Sequence, residues 1–227
     1  METLLVIAAH PDDELLGLGA TVKKFVNEGH EAYALILSCG IMSRYDSRKD
    51  GVQEQIGALK KQSRAAAKIL GFKQIFLCDL PDNQFDSLPL LEITKEIEKY
   101  VQTIKPSIIF THHYSDVNID HQRTFQAVIT ATRPFGDYSA KEIYCFETFS
   151  STEWSFPYQG AFKPNMFVDV EQTFKDKLEA MQCYTSELRP YPHPRSLKSL
   201  EVAAKRWGTV VGCNLAEAFE LVRKVVK

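Results

Sequence analysis

The residues most suited to chemistry lie in two short stretches, His10-Pro11-Asp12-Asp13-Glu14 and Asp116-Val117-Asn118-Ile119-Asp120-His121. Both mix imidazole nitrogen with carboxylate oxygen, the donor types that zinc accepts. One histidine and two aspartates in a single turn, with a distant Asp120-His121, form a metal-ligand set. Three protein ligands and an open fourth position would make a catalytic site, not a structural one. Two acids packed side by side, as Asp12 and Asp13 are, disfavour double ionisation. A cation held by one relieves that repulsion and leaves the other to accept a proton from activated water. The partial positive charge at a helix start favours the same arrangement. His112 and His113 precede the second stretch. They are either further ligands or donors, or residues that line the loop and hydrogen-bond backbone.

These stretches work together only if the fold joins them, and the hydrophobic pattern says how. The continuous apolar run 4–9 reads as a strand buried on both faces. Leu15, Leu18, Val22 and Phe25 then recur at helical spacing, and Gly29 stops that helix. Strands are expected at 32–39, 75–80 and 107–111. Helices are expected up to Leu70-Gly71, over about 90–104 and over about 121–132. Strand–helix alternation repeated four times predicts an α/β fold, a mainly parallel sheet with helices on both faces. In such sheets ligands bind at the carboxyl ends of strands. Three polar clusters fall at such ends: His10 to Glu14, Gly40 to Arg44 and His112 to His121. The last third predicts strands at 142–149 and 167–170, an aromatic-rich loop at 151–162 and a helix near 171–183. Three prolines forbid a regular helix in ELRPYPHPRS, and a final helical region follows from 196 to 224. The expected organisation is one domain over 1–227, a Rossmann-like core at 1–135 with a C-terminal extension at 136–227 over the active-site edge.

AAHPDDELLGLGAT together with DVNIDH resembles the PIG-L/LmbE family of zinc-dependent N-deacetylases, which hydrolyse the acetamide of N-acetylated amino sugars. The resemblance extends through LSCGIMSR, KPSIIFTHHYSDVNIDHQ and AMQCYTSELRPYPHPRS, nearly the whole chain. It implies that His10, Asp13 and His121 bind zinc and that Asp12 is the general base. Asp120 then lies behind the third ligand or in a proton relay. Where many family members carry a histidine that steadies the oxyanion or protonates the leaving amine, this chain has Asn118. An amide donates a hydrogen bond but does not titrate. Where members often carry Arg-x-x-Glu, this chain reads Leu59-Lys60-Lys61-Gln62.

Arg44 on the second loop either grips a sugar hydroxyl or an anionic group, or forms a surface salt bridge. His193 and Arg195 lie among prolines that hold the backbone rigid, a setting suited to recognising a phosphate or carboxylate. Trp154, Phe156 and Tyr158 either stack on a sugar ring or pack in the core or between subunits.

Composition bounds the remaining classes. The chain has 227 residues, 44% hydrophobic and 25% charged, and 27 Lys+Arg offset 29 Asp+Glu. That is ordinary globular composition, with no global signal for nucleic acid or an anionic membrane. Five cysteines, none in a CxxC pair, read as reduced thiols of a cytoplasmic protein. No apolar run is long enough to span a bilayer. Gly17 and Gly19 lack the third glycine of a dinucleotide fingerprint; they serve close helix–sheet approach instead. Neither a P-loop nor a nucleophile elbow is present.

The expected protein is therefore a zinc hydrolase that removes acetyl from an N-acetylglucosamine-type amino sugar or its conjugate. One Zn2+ per chain, or another divalent metal, is the expected cofactor. The partner is a small-molecule N-acetyl amino sugar, without nucleic acid or membrane insertion, in a homo-oligomer or a monomer. The alternatives are a silent sugar-binding or regulatory protein on this scaffold and a zinc amidohydrolase of a non-sugar N-acyl amine.

Overall fold

The computed structural model describes residues 1–39, 41, 52–134, 138–158 and 160–226. Its centre is strand β1 (Thr3–Ala8), where Leu4, Leu5, Val6 and Ile7 are all fully buried. Alternate residues serve opposite faces, as the two-residue period of a strand requires. Leu4 and Val6 enter one core with Leu15, Leu18, Phe110 and Phe146. Leu5 and Ile7 enter the other with Leu35, Ile93, Ile97 and Val128. Each such side chain contributes about 1.5–3 kcal/mol, which is why the run shows no polar alternation.

Helix α1 (Asp13–Asn27) leads to β2 (Glu31–Ser38), and α2 (Val52–Leu70) leads to β3 (Gln74–Leu80). Helix α3 (Leu90–Ile104) precedes β4 (Ile108–His112), and α4 (Ile119–Ala131) precedes β5 (Glu142–Phe146). Strand β6 (Met166–Asp169), α5 (Phe174–Cys183), α6 (Leu197–Val211) and β7 (Ala216–Lys224) complete the chain. The strands form one sheet in the order β3-β2-β1-β4-β5-β7-β6. Strands β1 to β5 pair parallel. Strand β7 is antiparallel to both its neighbours, β5 and β6. The chain thus folds as one α/β domain with a mixed, mostly parallel sheet, helices on both faces and a C-terminal strand–helix extension, as the alternation predicts.

The final helical region expected over 196–224 is corrected by the structure. Gly212, at φ 78, ends α6. A left-handed residue is the common helix stop, and glycine takes it without a Cβ penalty. Ala216 to Phe219 are all buried because β7 is inserted between β5 and β6. A strand covered on both faces looks apolar throughout, so its period was hidden.

Helix α1 sits close against the sheet and is broken midway. Gly17 faces β5: a Cβ there would stand 2.3 Å from Phe146 Cδ2, so glycine sets the helix–sheet distance. The break falls at Leu18, φ −151. There Glu217 accepts from the backbone N–H groups of Ala20 and Thr21 at 3.3 and 2.7 Å. Lys177 Nζ donates to Leu16 O at 2.8 Å and pairs with Glu217 at 2.5 Å. Inserted side chains therefore satisfy the groups that the break frees, the usual cause of a kink. No helix among the described residues is long and apolar enough to cross a membrane. All five cysteines are free thiols, two buried and three half-buried.

Candidate metal centre

Strand β1 sends its chain to one side through α1 and β2, while β4 lies on its other side. The crevice between their carboxyl ends is the point where strand order reverses, the usual ligand position in open α/β sheets. His10 to Glu14 follow β1 there, and the segment 113–121 leaves β4 into α4.

The turn after β1 is tightly determined. Asp12 has φ 93, a left-handed conformation that costs a non-glycine residue about 1–3 kcal/mol. Its carbonyl accepts from Leu15 and Leu16 N–H at 3.0 and 2.8 Å, which starts α1. Its own N–H donates to Glu14 Oε2 at 3.1 Å, and Glu14 Oε1 accepts from the Tyr184 hydroxyl at 2.6 Å. The His10 N–H donates to Asp13 Oδ2 at 2.8 Å.

Three donor atoms converge across the crevice. Asp13 Oδ2 lies 3.5 Å from His10 Nδ1 and 3.3 Å from His121 Nε2, and those two nitrogens are 3.3 Å apart. Metal–ligand bonds of about 2.0–2.1 Å in a tetrahedron put ligand atoms about 3.3–3.4 Å apart. The triangle therefore fits one face of a tetrahedral cation site with a fourth corner left over.

The outer nitrogens support the same reading. His10 Nε2 meets Asp120 Oδ2 at 3.0 Å, and His121 Nδ1 meets Asp116 Oδ2 at 3.1 Å. Donation of each outer N–H to a carboxylate leaves both inner nitrogens as lone pairs. This is the carboxylate–histidine arrangement that orients metal ligands. Asp120 Oδ1 also accepts from Phe85 N–H at 2.9 Å, which fixes the carboxylate. Asp116 further accepts from Thr152 Oγ1 at 2.7 Å, Asn118 N–H at 2.8 Å and the Ser151 hydroxyl. A second group, His10 with Asp82 and Asp120, uses the outer nitrogen of His10. It reads as part of this support.

The electrostatics separate the adjacent carboxylates. Burial pushes the Asp12 carboxyl well above the usual range, against the nearby Arg195 guanidinium and helped by the charge of Asp13. Burial would also raise Asp13, but His121 beside it, with hydrogen bonds from His10 and His121, holds its carboxyl well below that range. Environments that push two acids apart give them different roles, one a permanent anion and one a proton carrier. Burial opposes charge on the imidazoles, yet hydrogen bonds to Asp120 and Asp13 bring His10 to about 9. Asp116 and Asp13 likewise bring His121 to about 10 despite burial. A metal bound at these imidazoles would displace those protons.

The other residues singled out from the sequence are placed around this triangle. His112 is not in it: its Nε2 accepts from Ala9 N–H at 2.8 Å, and its Nδ1 faces Thr148 Oγ1 at 3.0 Å. Its burial keeps it neutral, with a pKa well below the ordinary value. His113 bonds Ser115 and Glu220. Asn118 lines the cavity, but its Oδ1 caps α4 through Asp120 N–H at 2.8 Å and its Nδ2 donates to Asn83 Oδ1 at 3.1 Å. Arg195 enters the cavity and lies 3.2 Å from Asp12 Oδ2 and 2.9 Å from Glu187 Oε2. The Asp12 contact lacks hydrogen-bond alignment, so this buried oxygen has no hydrogen-bond partner. His193 lines a neighbouring hollow and accepts from Arg195 N–H through Nδ1 at 3.1 Å. Gln62 bonds Thr185 and Ser186, away from the cavity. Arg44 and most of the second loop lie outside the described residues, as does the side chain of Tyr158.

Sequence reasoning gave Asp116 no role of its own and missed Ser151, Glu187, Asp82 and Asn83. Asp116 had a readable signal, a carboxylate five residues before a ligand histidine where outer support is needed. Asp82 and Asn83 lie in the polar turn after β3, another strand end. Glu187 had no signal beyond an opposite charge eight residues before Arg195.

The fold and site have known counterparts. Residues 5–132 match the family model described as PIG-L: GlcNAc-PI de-N-acetylase, a span that holds the whole donor triangle and Asp12. A diacetylchitobiose deacetylase of Thermococcus kodakarensis is 27% identical over 98% of this chain and 84% of its own length. The N,N'-diacetylchitobiose deacetylase of Pyrococcus horikoshii superposes with a TM-score of 0.76 over 97% of this chain and 84% of that one, at 23% identity. The 4-carboxy-2-hydroxymuconate hydratase of Pseudomonas putida reaches the same TM-score, 0.76, over 100% of this chain and 98% of its own, at 19% identity. The fold alone therefore does not fix the reaction, and the site must. Match to the family model over more than half the chain, on the segment that builds a candidate divalent-metal cluster, places this protein in the PIG-L/LmbE deacetylase family.

Proposed function

We propose that the protein is a zinc-dependent N-deacetylase that releases acetate and a free amine from an N-acetylated amino sugar or its conjugate. The observation that carries this reading is the near-equilateral triangle of His10 Nδ1, Asp13 Oδ2 and His121 Nε2 with the Asp12 carboxyl on the next residue. A divalent cation held there would supply Lewis acidity, lowering the pKa of water and polarising an amide carbonyl.

The chain's own residues supply the rest. Asp12 takes the proton of the attacking water on Oδ2, the buried oxygen without a hydrogen bond. A carboxyl whose pKa is pushed up holds that proton and can return it to the departing nitrogen. Asn118 does not titrate, so Asp12 carries the proton in both directions. Arg195 lies against Asp12 and is itself held by Glu187. Asp120 and Asp116 fix the two imidazole rings. The names of the relatives support an amino-sugar substrate: the Thermococcus relative is a diacetylchitobiose deacetylase.

The test is incubation of zinc-loaded protein with N-acetylglucosamine, N,N'-diacetylchitobiose and N-acetyl sugar nucleotides, reading acetate and new primary amine. Release from at least one sugar supports the proposal. Release only from non-sugar N-acyl amines, or from none, overturns it.

A further inference from the structure

His112 supplies no donor to the triangle, yet it touches both halves of the site. It ends β4 and is fully buried. Its ring lies face to face on that of the donor His121, with centroids 3.8 Å apart and planes 11° from parallel. Phe146 of β5 stands against the His112 ring, its centroid 4.9 Å away and its plane tilted by 58°. Helix α1 holds Phe146 from the far side through the close approach of Gly17. Gly17, Phe146, His112 and His121 thus form one packed row that runs from the first helix to a ligand. The edges of the His112 ring are committed elsewhere. Its Nε2 accepts from the N–H of Ala9, the residue before the donor His10, at 2.8 Å. An acceptor Nε2 leaves the proton on Nδ1, which donates to Thr148 Oγ1 at 3.0 Å. The Thr148 N–H donates to Thr152 Oγ1 at 2.7 Å, and that hydroxyl donates to Asp116 Oδ2 at 2.7 Å. Asp116 Oδ2 meets His121 Nδ1 at 3.1 Å, so the polar contacts lead back to the ring on which His112 is stacked.

We propose that His112 is a positioning residue for metal binding: its flat face sets the plane of the His121 imidazole, while its two nitrogens tie down the loops. The proposal rests on reading His10, Asp13 and His121 as a metal centre. An imidazole nitrogen binds a cation through a lone pair in the plane of its ring, so a tilted ring aims that lone pair away from the metal. Asp116 fixes His121 at one point, Nδ1, and a single hydrogen bond leaves the ring free to tilt about it. A parallel ring at van der Waals distance removes that freedom, because any tilt drives one edge of His121 into His112. The row behind His112 gives it no room to retreat: Phe146 blocks it, and a Cβ on Gly17 would already stand 2.3 Å from Phe146 Cδ2. The Ala9 N–H fixes His112 at its other edge, which keeps the stacked ring in register with the backbone that presents His10.

Two variants of the full chain separate the ring from its nitrogens. His112→Phe keeps a flat ring against His121 and loses both hydrogen bonds. His112→Gln keeps an amide oxygen for the Ala9 N–H and loses the ring. Three quantities are read: zinc affinity by competition against a chromophoric chelator, the visible spectrum of the cobalt-substituted protein, and Tm of the metal-free chains. His112→Gln should bind zinc about 3- to 10-fold more weakly, the size of one aromatic ring contact, and its cobalt bands should shift as the ligand geometry changes. His112→Phe should stay within about twofold of wild type in zinc affinity, because the ring contact is kept, with wild-type cobalt bands. Its Tm should nevertheless fall below wild type, since the buried Ala9 N–H loses its acceptor. Zinc affinity and Tm therefore move apart in the two variants, which a merely structural role does not produce. Equal losses of zinc affinity in both variants, or losses that follow Tm, would overturn the proposal. Should one variant fail to fold, the other decides: undiminished zinc affinity in His112→Gln, or weakened affinity with shifted cobalt bands in His112→Phe, overturns it. A wild-type chain that binds no zinc overturns the metal centre and this proposal together. One that binds zinc and releases no acetate overturns the deacetylase reading alone.

Discussion

Asp116 touches no donor atom of the triangle directly, yet its place behind His121 predicts that it tunes the affinity of the candidate metal centre. Its buried carboxylate takes the His121 Nδ1 proton, two hydroxyls and the Asn118 amide. The imidazole in return holds the Asp116 carboxyl down at about 2, against the upward effect of burial. Asp116→Ala leaves His121 free to rotate or to take the wrong tautomer. Loss of a carboxylate behind a ligand histidine typically weakens metal binding about 10- to 100-fold, or about 1.4–2.7 kcal/mol. Removing one partner of a buried charged pair also costs about 3–5 kcal/mol of stability. At about 2–4 °C per kcal/mol for a domain of this size, that lowers Tm by roughly 6–20 °C. Asp116→Asn keeps one acceptor oxygen and should lose less of both. The assay is zinc competition against a chromophoric chelator at fixed pH, with Tm measured alongside on the metal-free chains. A lowered Tm with unchanged zinc affinity would refute the reasoning, because Asp116 would then support the loop and not the ligand.

Asp12→Asn should retain zinc and lose about 10²–10⁴-fold in kcat; near-normal turnover with metal bound would place the base elsewhere. Arg195→Ala should lower kcat by less than that while leaving KM within about twofold, because the guanidinium lies against Asp12 and Glu187. A large rise in KM with kcat intact would instead make Arg195 a substrate contact. Burial pushes the Glu147 carboxyl up to about 7, despite the Trp207 hydrogen bond. A folded pKa above the unfolded value of about 4.3 means stability present at low pH and lost as pH rises through the folded pKa. The Tm of Glu147→Gln, relative to wild type, should therefore rise between about pH 5 and pH 8; parallel Tm–pH curves would contradict the burial argument.

The legible part of the fold was the part with strong periodicity. Leu4 to Ala9 could only be a doubly buried strand, and the helical spacing from Leu15 to Phe25 fixed the helix behind it. Their order then placed His10 and His121 at one crevice, since strand ends in an alternating fold share an edge. Strand β7 escaped because Ala216 to Phe219 are buried on both faces, which erases alternation. The split between Asp12 and Asp13 was legible as a principle, whereas its direction came from His121 beside one and burial of the other. The contacts of Arg195 with Asp12 and Glu187 were not legible, because they form only through the tertiary fold. That Asn118 caps α4 was not legible, because it depends on where that helix begins.

The central claim is that one divalent cation on His10, Asp13 and His121 makes this chain a deacetylase. Metal-free protein should be titrated with zinc while acetate release is recorded from N-acetylglucosamine, N,N'-diacetylchitobiose and N-acetyl sugar nucleotides. Activity should rise from near zero in proportion to added zinc and level off at one zinc per chain. Equal acetate release without metal, or none at any zinc loading, would contradict it.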